Sequence, residues 1–334
     1  MLRSMMQFAG SLLSDDQYIV ASWDLEQGKT FSALRPLQDD AVLNMHFALQ
    51  EVAFRDGMRV NFINAMGVTL GDSIVGLNVC HYLRQRYPAL HINIVRPATA
   101  QPAVEAIYQR AQRAGIIDTL EAMPWRLSTC SEYSVNIDMG NQLFRDSFQR
   151  LEMHDYFFLN AGLAPHTITR EYKQNHWLAL EQHEPDTRPP FVLFCPGAST
   201  PLRAIPQAWH KQIIEALQRR FDLPVLGFSD ITLPGYQDIR EQTTTTQAWI
   251  DIIRQAQFVY TADSSALHIA AGFDVPTHAI FTSIAPDLRI RYYPHVTCSV
   301  PDNAVADGLH VSNDATRLAQ LYQQFEAFYQ RGIM

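Results

Sequence analysis

Cysteine is scarce in this chain, and what there is does not cluster. Cys80, Cys130, Cys195 and Cys298 lie far apart with no Cys-x-x-Cys spacing, which argues against a zinc ribbon or a disulfide scaffold and fits a reduced compartment. No apolar run approaches the roughly 20 residues of a membrane-spanning helix. The mildly apolar residues 1–13 reach Asp15 and Asp16 without the long apolar core or small-residue cleavage site of a signal peptide, so a soluble protein is expected. Excess positive charge is missing too. Against 26 Lys and Arg stand 34 Asp and Glu, a formal charge of −8, so no general attraction to nucleic acid or to an anionic membrane is expected. Internal repeats, low-complexity tracts and the Gly-x-Gly-x-x-Gly dinucleotide fingerprint are absent. His166, His176, His278, His295 and His310 lack metal-ligand spacing and are expected at the surface or packed, and no metal is expected. Trp23, Trp125, Trp177, Trp209 and Trp249 read as core or interface aromatics.

What is present is a globular composition, 47% hydrophobic and 18% charged, in 334 residues, more chain than one core usually serves. Residues 18–21 read as a strand, and residues 40–54 as a helix with Val42, Met45, Leu49 and Val52 in one stripe. From residue 59 the pattern becomes β-α-β: a strand at 60–64, a turn at 65–72, a helix at 74–86, a strand at 91–95 and a helix at 103–114. The middle is harder to read, with Phe157-Phe158-Leu159 strand-like. A polar, proline-bearing linker at 183–190 marks a boundary. Beyond it the alternation restarts, with strands at 191–194, 224–228, 258–260 and 277–281, helices at 207–221, 247–255 and 266–272, and a last helix at 314–329. The expected division is an N-terminal extension 1–57, an α/β domain 58–184, a second α/β domain 185–312, and residues 313–334 as a helix packing back on the first domain. Parallel α/β sheets bind ligands at the carboxyl ends of their strands.

Three motifs in order carry the chemistry. In Tyr260-Thr261-Ala262-Asp263-Ser264-Ser265-Ala266-Leu267-His268 an apolar strand runs through a polar turn straight into a helix. The first amides of that helix, at the positive end of its dipole, can seat a phosphate, with Asp263, Ser264 and Ser265 as capping residues and His268 one turn in. As an isolated segment this is equally an ordinary capped helix. Cys195-Pro196-Gly197-Ala198-Ser199-Thr200-Pro201-Leu202-Arg203 follows the first strand after the linker and supplies two hydroxyls and one guanidinium, a phosphate clamp in kind, or a plain surface loop. Gly67-Val68-Thr69-Leu70-Gly71-Asp72-Ser73 puts a carboxylate at a helix start, where the bland reading is Asp72 as N-cap.

Together, over residues 60–294, these motifs resemble the glycosyltransferase family 9 enzymes, the ADP-heptose:lipopolysaccharide heptosyltransferases. The likeness runs through Gly71-Asp72, through Pro196-Gly197-Ala198-Ser199 with Trp209 downstream, and through Asp263-Ser264-Ser265-Ala266-Leu267-His268. The resemblance implies a GT-B fold, two Rossmann-like domains facing across a cleft, and an inverting, metal-independent sugar transfer without a cofactor. It implies Asp72 as general base, with Gly71 and Ser73 in the acceptor-side loop. Ser199, Thr200 and Arg203 would hold the donor diphosphate, Asp263, Ser264, Ser265 and His268 the phosphate and sugar, and Asp230 the nucleoside. The donor it implies is a nucleotide-diphosphate sugar, ADP-heptose first. The acceptor is a glycan, a lipid-linked saccharide or a protein, and the setting is the bacterial cytoplasm, with peripheral contact at the inner membrane face left open. The chain departs from the family in Arg203 for the usual lysine, in Ser265 for the usual glycine, and in more than fifty residues before the first motif. Two alternatives stay open: a nucleotide-sugar epimerase or hydrolase of the same fold, and a non-catalytic sugar-nucleotide-binding subunit.

Overall fold

A computed structural model describes residues 5–181, 188–301 and 315–331. His310 and most of the linker, including His183 through Thr187, lie outside the described residues. The chain divides into two compact units, Met1–Lys173 and Gln174–Met334. The division falls ahead of the polar linker because residues 174–180 belong to the second unit: Asn175 donates through Nδ2 to the His268 carbonyl at 2.9 Å and to the Tyr293 hydroxyl at 2.8 Å.

The first unit holds two sheets. Its N-terminal segment forms a small antiparallel sheet from β1 (Leu12–Ser14), β2 (Tyr18–Val20), β3 (Arg35–Pro36) and, from far along the chain, β7 (Trp125–Arg126), in the order β3-β1-β2-β7. Leu13 and Ile19 from this sheet, with Leu37 just after β3, share one core with Ile63 and Val95 of the larger sheet, so the extension is built into the unit. The larger sheet is parallel, in the order β6-β5-β4-β8, from β4 (Arg59–Ile63), β5 (His91–Arg96), β6 (Thr119–Ala122) and β8 (Val135–Asp138). Helices α1 (Leu70–Arg86), α2 (Pro102–Arg113) and α3 (Met153–Asn160) accompany it.

Two expectations fail here. Residues 40–54 form no helix: Leu43 bridges to Ile137, the Asn44 Oδ1 accepts from the His46 amide at 3.0 Å, and Leu49 of the expected apolar stripe is exposed. A side chain that satisfies its own backbone competes with helical bonding, and an edge pairing takes the rest. Phe157-Phe158-Leu159 lies inside α3 and is no strand, because the Glu152 carboxylate accepts from the amides of His154 and Asp155 and starts the helix.

A row of amides crosses the parallel sheet at one register position. Thr119 donates to Asn93, Asn93 to Asn61 at 3.0 Å and Asn61 to Asn136 at 3.0 Å, while Asn136 donates to the carbonyls of Ala41 and Cys130. All three asparagines are buried, and each donor found a partner, as burial demands.

The second unit is one six-stranded sheet in the order β11-β10-β9-β12-β13-β14, every pairing parallel, from β9 (Val192–Cys195), β10 (Val225–Gly227), β11 (Tyr236–Asp238), β12 (Phe258–Ala262), β13 (Thr277–Ile280) and β14 (Val296–Ser299). Helices α4 (His210–Phe221), α5 (Thr246–Arg254), α6 (Ser265–Gly272) and α7 (Ala315–Gln330) go with it. Strand order reverses between β9 and β12, the place where doubly wound sheets take ligands. Helix α7 packs on this unit: Leu321, Phe325 and Tyr329 sit in one core with Phe194, Ile213 and Tyr260.

Candidate functional site

Each unit brings its motif residues to the carboxyl end of its own sheet. In the first, the turn after β4 is held from below by Arg96. Its Nη1 donates to the Ala65 carbonyl at 3.1 Å, its guanidinium lies over the Tyr108 ring at 3.9 Å, and the Tyr108 hydroxyl accepts from the Met66 amide at 2.8 Å. Gly67 has φ +82°, and a Cβ there would stand 2.6 Å from the Asp72 Cβ and 2.8 Å from Gln142 Oε1, so this position admits only glycine.

The helix cap differs from the expected one. Thr69 is the N-cap, its hydroxyl accepting from the Asp72 amide at 3.4 Å and donating to Asp72 Oδ2 at 2.8 Å. Asp72 therefore sits in the first turn of α1, half-buried, beside the positive end of the dipole, which favours a negative charge there. The Thr-x-x-Asp spacing is a variant of the capping box and was available in the sequence. Gly71 lies in the same first turn. Ser73 is fully buried and donates to the Thr69 carbonyl at 2.8 Å, which makes it part of the helix packing. Two groups that sequence reasoning missed lie near Asp72. The Gln142 Oε1 is buried without a partner. Burial raises the Tyr156 hydroxyl far above its ordinary value, and the negative charges of Asp72 and Asp138 push the same way.

In the second unit the clamp loop after β9 folds back on itself. The Ile205 amide donates to the Pro196 carbonyl at 2.9 Å, and the amide of Arg203 to the Thr200 carbonyl at 3.1 Å. His210 fastens the loop: its Nε2 donates to the Ile205 carbonyl at 2.9 Å, which leaves Nδ1 to accept from the Ser229 hydroxyl at 2.7 Å. Burial lowers the His210 pKa and keeps that neutral tautomer.

Ser199, Arg203 and Asp263 come together. Arg203 donates through Nη1 to Asp263 Oδ2 at 3.2 Å and through Nη2 to the Ser199 hydroxyl. Ser264 is the N-cap of α6 but makes no side-chain cap bond; its hydroxyl pairs with that of Thr261 at 3.3 Å. The capping bond expected of Ser264 is therefore not made, and the first amides of α6 have no side-chain cap from it. Ser265, half-buried, is the first helical residue. His268 lies inside the unit at 4% exposure, with Nδ1 bonded to the Tyr293 hydroxyl at 2.8 Å. Thr200 Oγ1, Arg203 Nε and Ser283 Oγ are buried without partners, and Thr282, next to Ser283, donates to the Leu202 carbonyl at 2.6 Å, which joins the loop after β13 to the clamp. Thr282 and Ser283 carried no motif signal. Asp230 is not drawn into this group: its side chain is 84% exposed and pairs with Arg240 at 3.5 Å.

Among the described residues no group of three or more His, Cys, Asp and Glu could hold a metal ion, and no helix is long and apolar enough to cross a membrane. His176 and His295 flank Asp274 at 3.2 and 4.0 Å on the surface.

No protein-family model matches the chain, and no curated protein matches it. Solved structures do. The chain is similar to TibC from enterotoxigenic E. coli H10407, described as an iron-containing dodecameric glycosyltransferase, at 12% identity over 85% of this chain and 78% of that one, with a TM-score of 0.53. It is also similar to E. coli heptosyltransferase WaaC with ADP, at 11% identity over 80% and 100% of the two chains, TM-score 0.47. A third likeness is the UDP-GlcNAc 2-epimerase from Methanocaldococcus jannaschii, at 10% identity over 80% and 92%, TM-score 0.39. At such identities the likeness to TibC establishes a shared mixed α/β fold.

Proposed function

We propose that the chain is a glycosyltransferase that moves a sugar, a heptose first, from an ADP-linked diphosphate donor to an acceptor hydroxyl on a glycan, a lipid-linked saccharide or a protein, with inversion and without a metal. The observation that carries this reading is the group at the strand-order reversal of the second sheet: Arg203, Ser199 and Asp263 beside the uncapped start of α6. A guanidinium, hydroxyls and helix amides are what a diphosphate needs in place of a cation. In this reading Asp72 takes the proton from the acceptor hydroxyl as its oxygen attacks the anomeric carbon. The bond from that carbon to the phosphate oxygen breaks, and its electron pair leaves on the nucleoside diphosphate, whose charge Arg203, Ser199, Thr200 and the α6 dipole stabilise. Asp263, Ser264 and Ser265 face the phosphate and sugar, His268 supports their turn from within, and Asp230 borders the nucleoside. The same reading expects work in the bacterial cytoplasm.

The test is thermal melting in EDTA with ADP, UDP, GDP or CMP, since a ligand of the folded state raises its stability by mass action. ADP is expected to raise Tm most. A site that needs added divalent metal for any nucleotide would overturn the metal-free reading.

A further inference from the structure

Ser283 is 1% exposed and its hydroxyl makes no hydrogen bond, although buried polar groups are nearly always paired. Three contacts fix where it stands. Strand β12 lies between β9 and β13, so the bond from the Thr282 hydroxyl to the Leu202 carbonyl, 2.6 Å, brings the loop after β13 and the clamp loop together across the end of β12. The Asp263 amide donates to the Ile280 carbonyl at 3.0 Å, which lays the Asp263 turn against the start of the same loop. Phe281 and Ile284, on either side of the pair 282–283, share a core with Leu267 and Ala271 of α6. Thr282 is thus tied to the clamp, and Ser283 stands beside the clamp and the first turn of α6.

Two donors of the clamp loop itself are also buried without partners, the Thr200 hydroxyl and the Arg203 Nε. With Nη1 on Asp263 and Nη2 on Ser199, the Nε–H is a donor that the arginine can give while both of those bonds stay in place. Two hydroxyls and one N–H share the ability to donate, and a phosphate group, whose oxygens accept, takes several donors at once. We propose that Ser283 is a further binding residue of the phosphate seat, its hydroxyl donating to an oxygen of the donor's diphosphate alongside Ser199, Thr200, Arg203 and the amides of α6. The seat is then built from the loops after three strands, β9, β12 and β13, and not only from the two that carry motifs. The hydroxyl costs stability in the free chain and contributes affinity once its hydrogen has turned to a phosphate oxygen. This rests on the nucleotide-sugar reading above.

The experiment is calorimetric titration of ADP, UDP and GDP into the full chain as wild type and as Ser283→Ala, with the melting temperature of each protein measured without ligand. Ser283→Ala removes a hydroxyl that has no partner in the free protein, so Tm should be unchanged or higher. Its affinity for the nucleoside diphosphate that wild type binds best should fall ~10–100-fold, the range for one hydrogen bond to a charged group. A merely structural serine would lower Tm, and a fall in Tm alongside the affinity assigns the hydroxyl to the fold and overturns the proposal. Unchanged or tighter binding by Ser283→Ala also overturns it and leaves the nucleotide-sugar reading standing. Wild type that binds none of the three nucleotides overturns both.

Discussion

Two buried aspartates occupy matching places in the two sheets, and they are treated in opposite ways. Asp138 ends β8 and Asp263 follows β12, in each case the fourth strand of its parallel sheet in chain order and the neighbour of the first. Asp138 accepts from the Ser11 amide at 2.7 Å, the Ser11 hydroxyl at 2.8 Å, the Gly140 amide at 2.9 Å and Asn44 Nδ2 at 3.3 Å. All are neutral donors fixed by the chain. Asp263 is met by one guanidinium, itself 22% exposed and shared with Ser199. A carboxylate saturated by neutral donors has nothing to offer a ligand and serves to lock the strand end. One held by a single charge can exchange it. Asp138 is fixed by several donors of its own unit, and Asp263 by one partner that it could exchange.

The sharpest way to break this contrast is at Asp72. Asp72→Asn is nearly isosteric, and sugar transfer, read as nucleoside diphosphate release with an acceptor-bearing extract, should fall ~10²–10⁴-fold with the melt and ADP affinity almost intact. Equal loss of rate and nucleotide affinity would merge the two roles. Next come the paired aspartates in denaturant unfolding. Asp138→Ala strands several buried donors and should cost about 3 kcal/mol or more, whereas Asp263→Ala should cost less than about 1.5 kcal/mol; similar losses would erase the distinction. Arg203→Ala should weaken ADP binding by about 1.5–3 kcal/mol, the worth of a charge-assisted hydrogen bond, and calorimetry would show it.

The smallest effect is acid sensitivity. Burial, with help from Arg220, lowers His278 from 6.5 to about 4, and burial lowers His210 as well. Both are in the second unit. The unfolded chain takes up protons first as pH falls, so this contribution to stability is whole above pH 6.5 and is lost progressively down to about pH 4. Hydrogen exchange at pH 4.5, corrected for intrinsic rates, should show the second unit opening before the first, and His278→Gln should narrow the gap. First opening in the first unit would contradict the assignment.

Much of this was legible in the chain. Alternating apolar strands and helices located both parallel sheets, and the Asp263 turn and the Arg203 loop landed at strand ends because strand-to-helix turns do so in any α/β unit. What escaped were contacts whose partners are remote in sequence. The apolar spacing at Val42, Met45, Leu49 and Val52 imitates a helix, and only the pairing of Leu43 with Ile137 decides otherwise. Arg145 looks like a surface arginine, yet it is fully buried, donating to the carbonyls of Gly140 and Asp138 and to Asn160. Nothing local announces that Asn175 belongs with His268 and Tyr293, which is why the boundary was expected too late.

Ser11 and Asp138 stand 127 residues apart, and Ile19 of β2 pairs with Trp125 of β7. During synthesis at ~5–20 residues per second, β1 and β2 leave the ribosome on the order of ten seconds before β7 and Asp138 exist. For that interval a pair of short apolar strands has an open edge and nothing to close it. These strands are made well before the residues that close them, so a chaperone that shields nascent apolar strands would act on this protein at β1 and β2, and slowing translation between residues 20 and 138 would lengthen the exposure.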